Sequence, residues 1–174
     1  DGSNNADKAV NAKGSAVDGW GYDIALSHNA LLDGMNVFAG WSMIPQVATG
    51  TGKTGDKTSK VIGATYAMGS VTLGYQYSRE NNQNATGTSY YENNAYGISF
   101  SVNDDLSISY GMHKSEANKM GATNAEVEAE SIQAAYSMGG ATLKIAETSV
   151  DRALYVSTTA NDREGTTIML SLAF

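Results

Sequence analysis

The chain has 174 residues with 19 glycines, one proline and no cysteine, and its formal net charge at pH 7 is −7. The length suits one domain, and the lack of cysteine excludes a disulfide framework, a thiol nucleophile and a cysteine-based metal site. The net negative charge argues against nucleic acid as a partner, because no basic stripe is available to neutralise phosphates.

Apolar residues recur at every second position along most of the chain. Residues 1–18 carry almost nothing apolar and are predicted to form an external loop. After them come nine alternating segments, joined in turn by tight turns and by long polar loops. Because side chains in a strand alternate between two faces, each segment is predicted to be a strand. The predicted strands are residues 19–29, 35–44, 59–68, 71–79, 90–102, 106–115, 128–138, 141–150 and 165–174.

The last segment shows the alternation most clearly. Ile168, Leu170, Leu172 and Phe174 fall on one face, and the other face is small or polar apart from Met169. Strands of about ten residues that are apolar outside and polar inside, with short turns at one rim and long loops at the other, are typical of transmembrane β-barrels. We therefore predict an all-β, antiparallel transmembrane barrel, whose closure satisfies every backbone hydrogen bond in lipid.

Aromatic residues on the apolar face fall at the long-loop ends of the predicted strands. We expect them to form an aromatic girdle at one membrane interface. The alternative is a soluble β-sandwich with the apolar face as its core, but such a core would not gather its aromatic residues at one edge. The girdle residues are Trp20, Trp41, Tyr75, Tyr77, Tyr96 and Tyr110.

The series of strand motifs resembles the second half of a general bacterial outer-membrane porin. The motifs are W-G-Y-D-I-A-L-S, V-F-A-G-W-S, V-T-L-G-Y-Q-Y-S, A-Y-G-I-S-F-S-V, L-S-I-S-Y-G-M and the terminal L-S-L-A-F. The resemblance implies a barrel of about sixteen strands around a water-filled pore. It also implies a homotrimer in the bacterial outer membrane, in contact with lipid and lipopolysaccharide, that lets small hydrophilic solutes and ions diffuse through without enzymatic activity.

An odd number of strands is informative, because bacterial single-chain barrels have an even number and place both termini at the short-turn rim. Phe174 obeys this rule, whereas nine strands put Asp1 in an external loop. We therefore expect the last nine strands of about sixteen, with the N-terminal part of the same barrel missing. The alternative is a small eight-stranded barrel with a structural or adhesion role and no open pore, in which a ninth segment is not a strand.

Polar residues on the small-residue face are predicted to line the pore. Lys144 stands in mid-strand, and a lysine facing lipid at the midplane would cost about 2–4 kcal/mol, which favours the inward side. Two roles stay open for Lys144: shaping the electrostatics of the pore, or simply being solvated in the lumen. The predicted pore-lining residues are Asp23, Gln76, Gln133 and Lys144.

Several charged residues fall outside the predicted lumen. Lys60, Arg79 and Lys114 lie at long-loop ends and are expected to touch lipid headgroups or lipopolysaccharide. Glu147 falls on the apolar face by parity, and we expect it near the external rim, with a subunit contact as the alternative.

No cofactor is predicted. The acidic last loop is expected to be solvated, with Ca²⁺ binding through oxygen ligands as the alternative; its residues are Asp151, Asn161, Asp162 and Glu164.

Overall fold

The structure is a computed structural model, and residues 20–46, 52, 54–156 and 159–172 are described. Nine antiparallel strands form one sheet in which each strand pairs with the next along the chain. Two short 3₁₀ turns, Ala153–Tyr155 and Thr159–Asn161, lie between the last two strands. The strands are β1 Tyr22–His28, β2 Met35–Ile44, β3 Lys57–Met68, β4 Val71–Asn81, β5 Gly87–Ser101, β6 Leu106–Met120, β7 Ala125–Met138, β8 Ala141–Asp151 and β9 Arg163–Leu172.

All nine predicted segments contain a strand. The alternative of an eight-stranded barrel, which required one of the nine segments not to be a strand, is wrong on this point. The middle strands are longer than predicted: β6 ends at Met120 instead of residue 115, and β7 begins at Ala125 instead of residue 128. These extensions carry polar residues on both faces, so the apolar alternation that marks a strand is lost there. The predicted N-terminal loop and Phe174 lie outside the described residues.

The register keeps the large apolar side chains on one side of the sheet, which we call the apolar face. In one cross-strand row Tyr66 pairs with Leu73, Leu73 with Ile98, and Ile98 with Tyr110. These side chains have no protein layer over them: Ile62 is 59% exposed and Ile168 is 69% exposed. A contiguous apolar surface of this extent on a protein marks a site that meets a partner or a membrane.

The opposite side of the sheet, which we call the polar face, carries small and polar side chains. Larger apolar side chains on this face include several valines together with Phe38, Tyr91 and Met169. One of its cross-strand rows runs over six strands and contains only glycine, serine and threonine. This row consists of Gly74, Gly97, Gly111, Ser131, Thr148 and Gly165.

The sheet is open in the described part of the chain, where β1 and β9 each pair along one edge only. Both therefore present unpaired backbone groups along the other edge, which invites pairing with a further strand. Over the same residues, none of the helical turns is long and apolar enough to span a membrane.

Candidate functional site

The four predicted pore-lining residues all lie on the polar face. Asp23 of β1 stands opposite Ser42, and Gln76 of β4 stands opposite Gly63. Gln133 of β7 and Lys144 of β8 lie further along the sheet, and their pairing places them in two other cross-strand rows. The structure therefore puts the predicted residues on one surface but does not bring them together into a single cluster.

A hollow of about 360 Å³ lies on the polar face near the long-loop ends of the first four strands. It contains two carboxylates. Glu80 is ion-paired with Lys57, whose Nζ lies 2.9 Å from Glu80 Oε1, whereas Asp23 has no ion-pair partner among the described residues. Glu80 was not predicted as a lining residue because β4 was expected to end at residue 79. The polar residues that line the hollow from the polar face are Asp23, Ser42, Ser59, Ser78, Glu80 and Asn93. Lys60 and Arg79, which the register places on the apolar face, also line it.

A chain of side-chain hydrogen bonds crosses the polar face beside this hollow. The Ser115 hydroxyl donates to Asn93 Oδ1 at 2.5 Å, and Asn93 Nδ2 donates to Ser78 Oγ at 3.2 Å. The hydroxyl of Tyr155 lies 2.6 Å from Ser115 Oγ. Since the single proton of Ser115 goes to Asn93, Tyr155 is the donor to Ser115.

Tyr155 belongs to the connection between β8 and β9, of which residues 152–156 and 159–162 are described; we call these described residues the β8–β9 loop. Its ring also packs on Tyr91, with 5.2 Å between the ring centroids. Ser115, which Tyr155 contacts, is 4% exposed, and Ala117, the register partner of Tyr91, is 1% exposed. The sequence placed Tyr155 in a loop and contained no signal that the loop would return to the sheet, because that contact joins residues forty positions apart.

The backbone of the β8–β9 loop is strained where it turns inward. Arg152, Leu154 and Tyr155 have φ values of 55°, 63° and 57°. A left-handed conformation at a residue other than glycine costs of order 1–3 kcal/mol and persists where the surroundings enforce it. Here Asp162 Oδ1 accepts the backbone N–H of Arg152 at 2.8 Å, and Arg152 Nη2 donates to Glu126 Oε1 at 2.8 Å.

The predicted girdle residues differ in position from the expectation. Trp20 precedes β1 and is 80% exposed. The remaining five lie on the apolar face, but Tyr75, Tyr77, Tyr96 and Tyr110 stand within their strands instead of at the long-loop ends, because β4, β5 and β6 extend further than predicted. That these side chains lie at a membrane interface stays a prediction.

The cations predicted to meet headgroups lie on the apolar face beyond the aromatic residues. Arg79 stacks on Tyr90, with its guanidinium carbon 3.7 Å from the ring centroid, and its Nη1 lies 3.2 Å from Glu92 Oε1. Lys114 Nζ lies 3.0 Å from Glu128 Oε2. The third cation, Lys60, lies 5.9 Å from the ring centroid of Tyr77.

Glu147 stands within β8, four residues before the strand ends at Asp151, and its expected position near the external rim stays a prediction. It is the seventh residue of β8, as Tyr77 is the seventh residue of β4, so both stand at the same distance from the short turns. Its register partners on the apolar face are Ile132 and Thr166, and the hydroxyl of Thr166 donates to Glu147 Oε2 at 2.6 Å. Glu147 also shares a hollow with Tyr110, Ile132 and two further carboxylates, those of Glu130 and Glu164.

The acidic residues of the last loop are spread over different surroundings. Asp162 caps the backbone of Arg152, and Glu164 belongs to β9. Within the described ranges, no group of three or more His, Cys, Asp or Glu side chains is placed to hold a metal ion. Calcium binding here stays a prediction without a described ligand cage.

Comparisons with known proteins identify the fold. No protein-family model and no curated protein matches the chain. The solved structure titled "Outer-membrane expressed OmpT of Vibrio cholerae" is similar, with a TM-score of 0.63 and 13% sequence identity, over 87% of this chain and 56% of that chain. This chain thus spans little more than half the length of the structure that it matches. The shared architecture is the antiparallel sheet of an outer-membrane β-barrel, which confirms the fold class predicted from the alternation.

Proposed function

We propose that the chain forms part of the wall of an outer-membrane channel through which small hydrophilic solutes and ions diffuse passively. The observation that carries this proposal is the polar face. A row containing only glycine, serine and threonine crosses six strands, from Gly74 to Gly165. Small polar side chains leave a wide, wettable surface, whereas a narrow barrel fills its interior with larger interlocking residues.

The apolar face supports a location in lipid. Ile62, Ile132 and Ile168 are each exposed by more than half, which in water would leave a large unfavourable apolar surface. In the proposed orientation this face meets acyl chains, and the ion-paired cations beyond the aromatic residues, such as Arg79 and Lys114, meet headgroups and lipopolysaccharide. Tyr and Trp side chains favour the interface between these two layers.

The open edges of β1 and β9 support completion of the barrel by further strands. Unpaired backbone groups are costly in hydrocarbon, so an open sheet does not span a membrane. We propose that the N-terminal part of the same barrel pairs with β1 and β9 and raises the number of strands to about sixteen, a width that leaves an aqueous channel. Three such barrels are proposed to associate, as in the porins that the sequence resembles.

Selectivity in this proposal arises from charges on the polar face and needs no chemical step. Asp23 has no ion-pair partner among the described residues, and Lys144 stands in mid-strand opposite Ala135 and Met169. Charged side chains that line a water-filled pore attract ions of opposite charge and so set the local concentration of permeating ions.

Single-channel recording of the whole protein in a planar bilayer tests the proposal. Discrete open-channel steps are expected. Two tryptophan substitutions at neighbouring residues of β6 then separate the faces. Ser109→Trp, on the polar face, should lower the conductance, whereas Ile108→Trp, on the apolar face, should leave it unchanged. A correctly folded protein without conductance, or a larger effect of Ile108→Trp, would contradict the channel.

A further inference from the structure

We propose that Tyr155 anchors the β8–β9 loop across the polar face, so that the loop narrows the long-loop mouth of the channel and limits the size of the solutes that enter. The inference rests on the proposed function and names the part of the chain that sets its size limit. It assigns Tyr155 and Ser115 as residues that determine specificity.

The covered patch is the first observation that points to this role. The polar face is generally open, yet Ser115 and Ala117 of β6 are 4% and 1% exposed. Their side chains point to the side on which solutes would pass, because they share the parity of Ser109 and Gly111. Tyr155 covers Ser115, and it packs on Tyr91, the register partner of Ala117, so the anchored loop occupies space on the proposed solute path.

Several independent contacts hold the loop in this position. Tyr155 donates to Ser115 Oγ at 2.6 Å, and its ring packs on Tyr91 of β5. At the base of the loop, Arg152 Nη2 contacts Glu126 Oε1 at 2.8 Å. The φ values of Leu154 and Tyr155 are 63° and 57°. Such a left-handed backbone is costly at residues other than glycine, so it indicates that contacts with the sheet hold the loop in place.

The hydrogen-bonded chain connects this anchor to the polar hollow. Asn93 accepts from Ser115 and donates to Ser78, and both Asn93 and Ser78 line the hollow that contains Asp23. Tyr155 is thereby fixed beside the side chains that a solute would meet at this end of the sheet. A rigid aromatic in this place acts as a fixed constriction, and its hydroxyl oxygen keeps lone pairs for a passing solute.

Thiol accessibility tests the position of the loop without using conductance. The 174 residues contain no cysteine, so a single introduced thiol in this chain reports one place. The reporter is Ala117→Cys, in the buried patch opposite Tyr91, and the matched control is Ser109→Cys, on the same strand and face but away from this patch. In the whole protein, a water-soluble maleimide should modify the Ser109→Cys variant readily and the Ala117→Cys variant slowly.

Weakening the anchor should expose the covered patch. Tyr155→Phe removes one hydrogen bond and should speed the modification of Ala117→Cys by about fivefold, the change in population that one ordinary hydrogen bond supports. Ser115→Ala removes this bond together with the bond that Ser115 donates to Asn93, and it should speed the modification at least as much. Tyr155→Ala should abolish protection. Tyr66→Phe, on the apolar face, should change nothing. Rapid modification of Ala117→Cys in the parent protein would overturn the anchor.

Conductance and the uptake of sugars of increasing size into liposomes then test the constriction itself. Tyr155→Ala should raise the single-channel conductance and admit larger sugars. If protection is lost in this variant while conductance and the size limit stay as in the parent, the loop is anchored but does not constrict, and the inference is wrong. If no variant conducts, the proposed function fails together with the constriction, whereas the labelling pattern still decides whether the anchor exists.

Discussion

The ring of Phe38 lies across Gly63, its cross-strand partner on the polar face, and occupies the space in which any other residue would place its Cβ atom. A Cβ at Gly63 would also stand 2.8 Å from the carbonyl oxygen of Tyr75. Glycine is required here by close approach and not by backbone conformation. The large ring of Phe38 is accommodated on a face of small side chains because its partner has none.

We therefore expect Gly63→Ala to lower the free energy of unfolding by about 1–3 kcal/mol, the usual cost of overpacking. Equilibrium unfolding in denaturant, followed by tryptophan fluorescence in detergent, measures the change. Gly97→Ala is the matched control on the same face, where the nearest atom to an added Cβ is 4.0 Å away. Adding Phe38→Leu should recover part of the loss, because the carbonyl of Tyr75 stays in place. Equal effects of the two glycine substitutions would contradict the close approach.

Glu147 and Lys144 form a natural pair for deciding which face meets lipid, since they lie on one strand and on opposite faces. Glu147→Leu should raise the free energy of unfolding from lipid vesicles by about 1 kcal/mol, because a carboxylate facing lipid is destabilising. Lys144→Leu should change it by less than about 0.5 kcal/mol, as for a substitution on a wet surface. The reverse pattern, with a gain for Lys144→Leu only, would show that the faces are inverted.

Arg79 combines a planar stacking contact with an ion pair, and a lysine would keep the charge but has no planar group to stack. Its guanidinium lies over Tyr90, its Nη1 contacts Glu92, and its Nε donates to Asn81 Oδ1 at 2.9 Å. Arg79→Lys should therefore cost about 1 kcal/mol of stability, since a planar guanidinium is lost from a stacked site. In a Tyr90→Leu background the same change should cost less, and this double-mutant cycle isolates the stacking. If Arg79→Lys cost the same stability in the Tyr90→Leu background, the stacking of Arg79 on Tyr90 would not contribute to stability, and the prediction would be wrong.

Lys144 should contribute to ion selectivity if the polar face lines a pore. Lys144→Glu replaces a cation by an anion and should shift the reversal potential in a salt gradient towards cation preference. The shift should be clear near 0.1 M salt, where the Debye length is about 10 Å, and weak at 1 M, where it is about 3 Å. Lys60→Glu, on the apolar face, is the control. A shift in reversal potential of the same size for Lys60→Glu would contradict the prediction that Lys144 faces the lumen.

The fold class and the identity of the two faces could be predicted because they depend on a local rule. Alternation with period two, as at Ile98 and Phe100, places successive side chains on opposite faces wherever the chain is extended. For this reason all nine strands were found, and β2 begins and ends at the predicted residues. Asp23, Gln76, Gln133 and Lys144 lie on the polar face for the same reason.

The lengths of the strands, and the contact of the β8–β9 loop with the polar face of the sheet, became visible only in the tertiary structure. Near Lys119 and Glu126 the strands carry polar side chains on both faces, so no apolar pattern marks them, and only backbone pairing with the neighbouring strands extends them. Tyr155 meets Ser115 forty residues away, a contact that depends on where β6 stands relative to the end of β8. Alternation is encoded residue by residue along the chain, whereas these contacts exist only after the strands have paired.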